Sequence, residues 1–420
     1  MREPRGLLAL AVLAGCALGD DLPGLGPPLA QADLLAIVAH LDDDMLFMQP
    51  ELATALARGS VTTVYVLSGD PVHGAAGAAH TFAATMTAYE HAAGSSDWEC
   101  GYITVAHRPA HHCRLRDRPV SMIGLDIPDG GRYDEREASL VHLVQGIAPS
   151  LPLLGPFGGR VTMNVVIDEL AEIITASAPG VLHTLDLSAT HGDDHPGHLM
   201  VASFALWGAA SARYAGTIVS HRGYSVTDEP ATLSDADYAL AKPMMGYFEA
   251  CYRGCAPCGQ ECATLDDSHE TWLRRQYSTV SRGTVSGQLA SAEVAGACLA
   301  VSGDGGLGLA DCGSSAALQL GDDQRLHAGT LCATTAVYND EPLALAACAD
   351  DPAQYWRIDD EGLVSNGSPP RRAQDIDMQF DHVRCLAAGG HGHAGSPVCG
   401  RGRRPRWHVK KPAGNAPRGT

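Results

Sequence analysis

Two short polar runs hold the residue types that metal-assisted hydrolysis demands. His40-Leu41-Asp42-Asp43-Asp44 sets one imidazole beside three consecutive carboxylates, and His191-Gly192-Asp193-Asp194-His195-Pro196-Gly197-His198 adds more imidazoles far along the chain. A catalytic zinc ion needs three protein ligands, an open position for water and a carboxylate to take the water's proton. His40 and Asp43, three residues apart, can ligate from one turn. Asp42 then stands beside them as general base, and His198 completes the ligand set. His195 can face the site as the electrophilic or acid group that meets a developing oxyanion. Asp44 is expected to cap a helix, since carboxylates favour helix N-termini.

Each run follows a strand-like segment. The apolar stretch 34–39 reads as a buried strand of a parallel sheet, and 180–187 reads as another. In open α/β folds, chemistry collects just beyond the carboxyl ends of such strands. The stretch 61–67 is a third strand, ending at Ser68-Gly69-Asp70, while 78–93 and 163–177 are helix-like. This alternation of β and α elements predicts a parallel sheet covered on both faces.

At 420 residues the chain is expected to hold more than one domain, and a 45% hydrophobic content supports real cores. The net charge of −19 argues against nucleic acid as the main partner, because phosphate binding needs a basic surface. Arg2 and Arg5 precede an apolar run, 7–14, too short to span a bilayer. The run ends Leu13-Ala14-Gly15-Cys16, which resembles a bacterial lipobox. Residues 1–16 are read as a lipoprotein-type signal peptide with Cys16 acylated, or as an ordinary signal peptide; either exports the chain, to the cell envelope on a lipid anchor or in secreted form. Of the thirteen Cys, setting Cys16 aside leaves an even number, as expected for oxidised pairs. Cys100–Cys113 is the simplest pair. Cys251, Cys255, Cys258 and Cys262 could hold zinc or an iron–sulfur cluster, but in an exported chain two local disulfides of open pairing are favoured.

The remaining boundaries follow composition. Residues 17–31 form a tether, 32–276 the first domain with its Cys-rich end, 277–296 a linker, 297–409 a repeat domain and 410–420 a solvated tail. Within 297–409 a unit recurs: Cys298 to Cys312 and then Leu318-Gln319-Leu320; Cys332 to Cys348 and then Gln354-Tyr355-Trp356; Cys385 to Cys399 and then Pro405-Arg406-Trp407. Three copies, each too small to bury its own core, imply threefold packing.

Family resemblances sharpen both halves. His40-Leu41-Asp42-Asp43 resembles the Ala-His-Pro-Asp-Asp signature of the LmbE/PIG-L family of zinc-dependent de-N-acetylases. His195-Pro196-Gly197-His198 resembles that family's His-Pro-Asp-His motif, and 123–130 is similar to its Leu-Pro-Asp-Gly stretch. The resemblance implies an α/β fold with a Rossmann-like, mostly parallel sheet. It implies a Zn2+ cofactor on His40, Asp43 and His198, Asp42 as base, and His195 as the group that stabilises the oxyanion or protonates the departing amine. The substrate class it implies is an N-acetylglucosamine-like sugar or glycan. Three positions depart from the pattern. Leu41 replaces a Pro. Thr87 replaces the Arg of an Arg-x-x-Glu pattern whose Glu is Glu90. Gly197 replaces an Asp that would orient a ligand His, a bond that Asp194 or Asp193 could supply instead.

The repeats resemble the ricin-type β-trefoil lectins, which implies an all-β C-terminal trefoil, a glycan ligand for it, and intra-repeat disulfides Cys298–Cys312, Cys332–Cys348 and Cys385–Cys399. That family's sugar sites use an Asp just after the first Cys, where this chain has Leu299-Ala300, Ala333-Thr334 and Leu386-Ala387. The Gln-x-Trp residues therefore speak for the fold more than for sugar binding. The sequence thus predicts an exported zinc-dependent de-N-acetylase targeted by a trefoil. The alternatives are a surface glycan-binding protein with weakened catalysis, or a zinc amidase acting on another acylated amine.

Overall fold

The computed structural model describes residues 29–69, 73–130, 139–187, 194–283, 285–303, 305–335, 343–367, 386–388, 394–395 and 406–410. The expected signal peptide with Cys16, most of the tether, Asp193, the Cys385–Cys399 pair and the tail beyond 410 lie outside these residues. Among the described residues, no helix is long and apolar enough to cross a membrane.

The first part of the chain runs β1 (Leu34–Val38), α1 (Asp43–Phe47), α2 (Glu51–Arg58), β2 (Val61–Gly69), α3 (Gly74–Ala93), β3 (Trp98–Val105), β4 (Arg108–Leu115), β5 (Val120–Pro128) and α4 (Leu140–Val144). A small hairpin, β6 (Leu151–Pro152) with β7 (Arg160–Val161), leads to α5 (Met163–Ser177), β8 (Val181–Leu185), α6 (Pro196–Ser211) and β9 (Thr217–His221). Then come α7 (Asp235–Arg253), α8 (Asp267–Leu273) and β10 (Ser278–Arg282). The sheet order is β10-β9-β8-β1-β2-β5-β4-β3. Strands β9, β8, β1, β2 and β5 are parallel, and β3, β4 and β10 join antiparallel at the two flanks. The sheet is therefore mixed, with a parallel centre. Strand β1 is buried along its whole length, as a central strand covered by helices on both faces must be.

From β1 the chain winds outward through β2 to β5, then returns to β8 on the other side of β1. The crevice between the carboxyl ends of β1 and β8 is thus the topological switch point, where ligands bind in open α/β sheets. The His40 run leads from β1 into α1 and the His195 run leads into α6, so the fold delivers both to this crevice.

The stretch 277–296, expected to be a linker, is instead structured. It supplies β10, the eighth strand of the first sheet, and β11 (Gly287–Ser291), the first strand of the second domain. The side chains that β10 buries are Thr279 and Ser281, so the apolar alternation that marks a strand is missing. Edge pairing with β9 carries it instead.

The second domain continues with β12 (Ala297–Val301), β13 (Leu307–Asp311), β14 (Gln319–Leu320), β15 (Leu326–Ala328), β16 (Leu331–Thr334) and β17 (Ala344–Ala347). Its strands form a β-rich, nearly closed sheet in which Trp407–Lys410 pairs back onto β11. The hairpins β12–β13 and β16–β17 are each closed by a disulfide, Cys298–Cys312 and Cys332–Cys348. Equivalent positions of the three repeats meet in one core, including Leu320, Trp356 and Trp407. The Trp356 indole donates to the Ala333 carbonyl and that of Trp407 to the Leu386 carbonyl, both at 3.0 Å. Each acceptor directly follows the first Cys of its repeat. In the first copy Leu320 has no side-chain N–H to give, and the corresponding Leu299 carbonyl accepts from the Leu318 backbone at 2.8 Å.

The two domains are joined by more than the chain. Helix α6 buries every residue from Pro196 to Ala210, and an all-round apolar helix needs cover on every side. Helices α4 and α5 with strands β1 and β8 cover part of it. The second domain meets another part, where Ser203 Oγ donates to the Gly367 carbonyl at 2.7 Å and Trp207 Nε1 to the Asn366 carbonyl at 3.0 Å. Strand β10 also exchanges backbone contacts with the second domain, Asp360 N donating to the Val280 carbonyl at 2.8 Å.

Candidate metal centre

The turn after β1 folds His40 and Asp43 together. The His40 N–H donates to Asp43 Oδ2 at 2.6 Å, which fixes that carboxylate. Asp43 Oδ1 is buried and receives no hydrogen bond, yet it lies 3.1 Å from His198 Nε2. His40 Nδ1 stands 3.2 Å from the same His198 Nε2 and 3.4 Å from Asp43 Oδ2. Two ring nitrogens and a carboxylate thus converge on one point. Ligands held about 2.0–2.1 Å from a tetrahedral zinc stand about 3.3–3.4 Å apart, which these separations match. The set fits a metal, and the undonated Asp43 oxygen is the sharper sign, because a buried carboxylate oxygen without a donor is costly unless a cation faces it.

His198 is locked for this task. Its Nδ1 pairs with Asp194 Oδ1 at 2.8 Å, an arrangement that turns Nε2 and its lone pair toward Asp43. Asp194 is itself held by the backbone N–H groups of His195, Gly223 and Tyr224, at 2.8, 3.2 and 3.1 Å. A Cβ on Gly223 would sit 2.5 Å from Asp194 Oδ2 and 2.6 Å from His198 Nδ1, so this close approach requires glycine. Gly197, where the resemblance expects an Asp, has no room for a side chain either: its Cβ would lie 2.8 Å from Leu67 Cδ1 and 2.9 Å from His195 Nδ1. Asp194 makes the bond that an Asp at 197 would otherwise make. Replacing Asp194 with Ala is expected to weaken metal affinity roughly 10- to 100-fold, read by competition with a chromogenic chelator; unchanged affinity would show that the bond does not tune the ligand.

His195 belongs to the same cluster, with ring nitrogens of His40, His195 and His198 within 4.8 Å of one another. Its Nδ1, however, accepts the Gly197 N–H at 3.0 Å. A neutral His195 therefore carries its proton on Nε2, which points to the cavity and lies 3.9 Å from Asp129 Oδ2. Burial, then the His40 and His198 charges, push its pKa down to about 3, so the ring is neutral. It is better placed to donate than to ligate.

The electrostatics ask for positive charge where the three ligand atoms meet. Burial alone would lower His198, but Asp43 and Asp194 raise it to about 9. His40 behaves likewise, burial opposed and overcome by Asp43 and Asp129, and ends well above its usual range. Burial would raise Asp43, yet the imidazoles of His198 and His40 hold it well below the carboxylate range. Asp42 is raised instead, by burial and then by the Asp43 charge, a direction that suits a proton acceptor.

Asp44 does not cap a helix at the surface. It is fully buried, accepting from Tyr65 Oη at 3.0 Å and from Tyr89 Oη. Burial pushes its pKa up to about 7 despite these donors. The partners come from β2 and α3, which the local sequence could not announce.

The cluster opens into a cavity of about 690 Å³. His40, Asp42, Asp129, His195 and Tyr224 line it, together with His80 and Thr81 of α3 and Tyr252 of α7. Asp129, at the end of β5, lies 3.7 Å from His40 Nε2; its Ile-Pro-Asp-Gly context was visible in the sequence, but not its role. Tyr224 and Tyr252 carried no local signal. The four clustered cysteines form interlaced disulfides, Cys251–Cys258 and Cys255–Cys262, so they hold no metal. Thr87 Oγ1 lies 3.5 Å from Cys251 Sγ and 3.9 Å from Cys258 Sγ. A disulfide packs beside the position where the resemblance expects an Arg. Cys100 and Cys113 pair across β3 and β4.

A mixed α/β domain with a His-Asp-His cluster at its switch point defines a candidate metallohydrolase. Residues 35–207 match the sequence profile of the PIG-L family, described as GlcNAc-PI de-N-acetylase, and make up a domain of that family. The crystal structure of the conserved protein TT1542 from Thermus thermophilus is similar over 53% of this chain and 80% of that one, at 16% identity and a TM-score of 0.29. No curated protein matches the chain.

Proposed function

We propose that this protein is an exported, zinc-dependent hydrolase that removes the N-acetyl group from an N-acetylglucosamine-like sugar or glycan. The convergence of His40 Nδ1, Asp43 and His198 Nε2 at 3.1 to 3.4 Å, inside a PIG-L family domain, carries this reading. His40, Asp43 and His198 hold the ion. When bound, zinc supplies Lewis acidity, lowering the pKa of water and polarising the amide carbonyl. Asp42, beside the site with its raised pKa, takes the proton as water attacks the acetamide carbon. His195 Nε2–H donates to the oxyanion that forms. As the C–N bond breaks, Asp42 returns the proton to the departing nitrogen, leaving acetate and a free amine.

The C-terminal domain is read as a ricin-type β-trefoil that directs the enzyme to a glycan. Its two disulfide-closed hairpins and the matching hydrogen bonds of Trp356 and Trp407 support that reading. Export rests on the lipobox-like Cys16 and the even number of remaining cysteines, and a Cys16 lipid would anchor the protein at a membrane. The test is acetate release from N-acetylglucosamine and its oligomers, with the matching appearance of primary amine. No acetate and no amine from any of these sugars, or turnover confined to acylated amines that are not sugars, would reject the sugar reading.

A further inference from the structure

Tyr252 lines the same cavity as His40, Asp42 and His195, with 47% of its surface exposed. Its ring stacks on Phe248, one helical turn earlier in α7, with centroids 5.2 Å apart and planes at 24°. The His80 ring of α3 lies 6.4 Å away at 32° and lines the same cavity. The backbone around Tyr252 is clamped. Cys251, its neighbour, is bonded to Cys258, and the second disulfide, Cys255–Cys262, crosses the same loop. Helix α7 ends just beyond, at Gly254 with φ 74°. The chain thus holds a large aromatic side chain half-exposed on the wall of the cavity that His40, Asp42 and His195 also line.

We infer that Tyr252, with His80 beside it, is a stacking shelf for a second pyranose ring, next to the sugar whose acetamido group reacts. This deepens the proposed function and rests on it: the substrate class becomes an oligosaccharide of N-acetylated sugars. A pyranose presents a face of C–H groups whose partial positive charge suits the electron-rich face of an aromatic ring. Tyrosine gives that contact area at low conformational cost because only two side-chain torsions must be fixed. The cavity volume of about 690 Å³ is within the range of sites that enclose a drug-sized ligand, more than one acetamido group requires. Tyr252 is a specificity residue in this scheme and takes no part in the bond changes.

The test compares N-acetylglucosamine with its β-linked disaccharide in the wild type, Tyr252→Ala and Tyr252→Phe, all with disulfides intact. The expected result is that the ratio of kcat/KM for disaccharide over monosaccharide falls about five- to tenfold in Tyr252→Ala and is kept in Tyr252→Phe. An unchanged ratio in Tyr252→Ala overturns the shelf while leaving the deacetylase reading intact. Calorimetric binding of the disaccharide to the same proteins separates the two ideas. If the wild type releases no acetate but binds the disaccharide in a Tyr252-dependent manner, the reaction is wrong and the shelf stands. Binding that is absent, or equal in wild type and Tyr252→Ala, overturns the shelf.

Discussion

Asp42→Asn is expected to reduce acetate release by about 10²- to 10⁴-fold, the usual worth of a positioned general base, or about 3–5 kcal/mol of barrier. The change is nearly isosteric. Asp42 is the N-cap of α1, but its side chain makes no capping hydrogen bond, and the Leu46 N–H bonds to its main-chain carbonyl. The helix therefore keeps its start, and His40, Asp43 and His198 keep their geometry. Metal content measured by atomic emission should stay at the wild-type level while kcat and kcat/KM fall together. A variant that turns over at the wild-type rate would remove Asp42 from the role of base. One that loses its metal along with its activity would move Asp42 into the ligand set.

The second large effect concerns the metal itself. His198→Ala deletes the nitrogen at which the 3.1 and 3.2 Å contacts meet and leaves Asp43 and Asp194 without the imidazole between them. Metal content should fall to background, and acetate release below detection. A chelator should do the same to the wild type, reversed by adding Zn2+. The ion should also stabilise the fold, since a ligand at 100 times its Kd contributes about 2.7 kcal/mol. Wild-type protein should therefore melt at a higher temperature with zinc than with chelator, and His198→Ala should melt alike in both. Full activity in exhaustively chelated wild type would end the metal reading.

The parts of the fold that the sequence disclosed share a physical reason. Strand β1 is a continuous apolar run, and β2 and β8 are buried nearly end to end with a few polar side chains among the apolar ones, as central strands covered on both faces must be; α5 spans 163–177 as its pattern predicts. The antiparallel flanks gave no such signal. Strand β3 mixes half-buried and exposed residues and carries no apolar run, and β10 turns Thr279 and Ser281 inward, so 98–105 gave no strand signal and 277–296 read as a linker. At the site, the His40 and His198 runs were legible because each packs its chemistry into a few consecutive residues after a strand. Asp44 was misjudged because its donors, Tyr65 and Tyr89, come from elsewhere in the fold. Tyr224 and Tyr252 were silent for the same reason: a lone tyrosine acquires meaning only from what tertiary packing sets beside it.

The placement of β10 bears on how the first domain can be dissected. A fragment ended at residue 276, the domain limit that composition suggests, would amputate the strand that shields β9 and leave a raw sheet flank able to recruit other chains. Ending it at 283 retains the strand but strips away the surface that takes the Trp207 and Ser203 hydrogen bonds. The excised half is therefore expected to lose solubility without the C-terminal module, whose contacts cover both its sheet edge and its α6 surface.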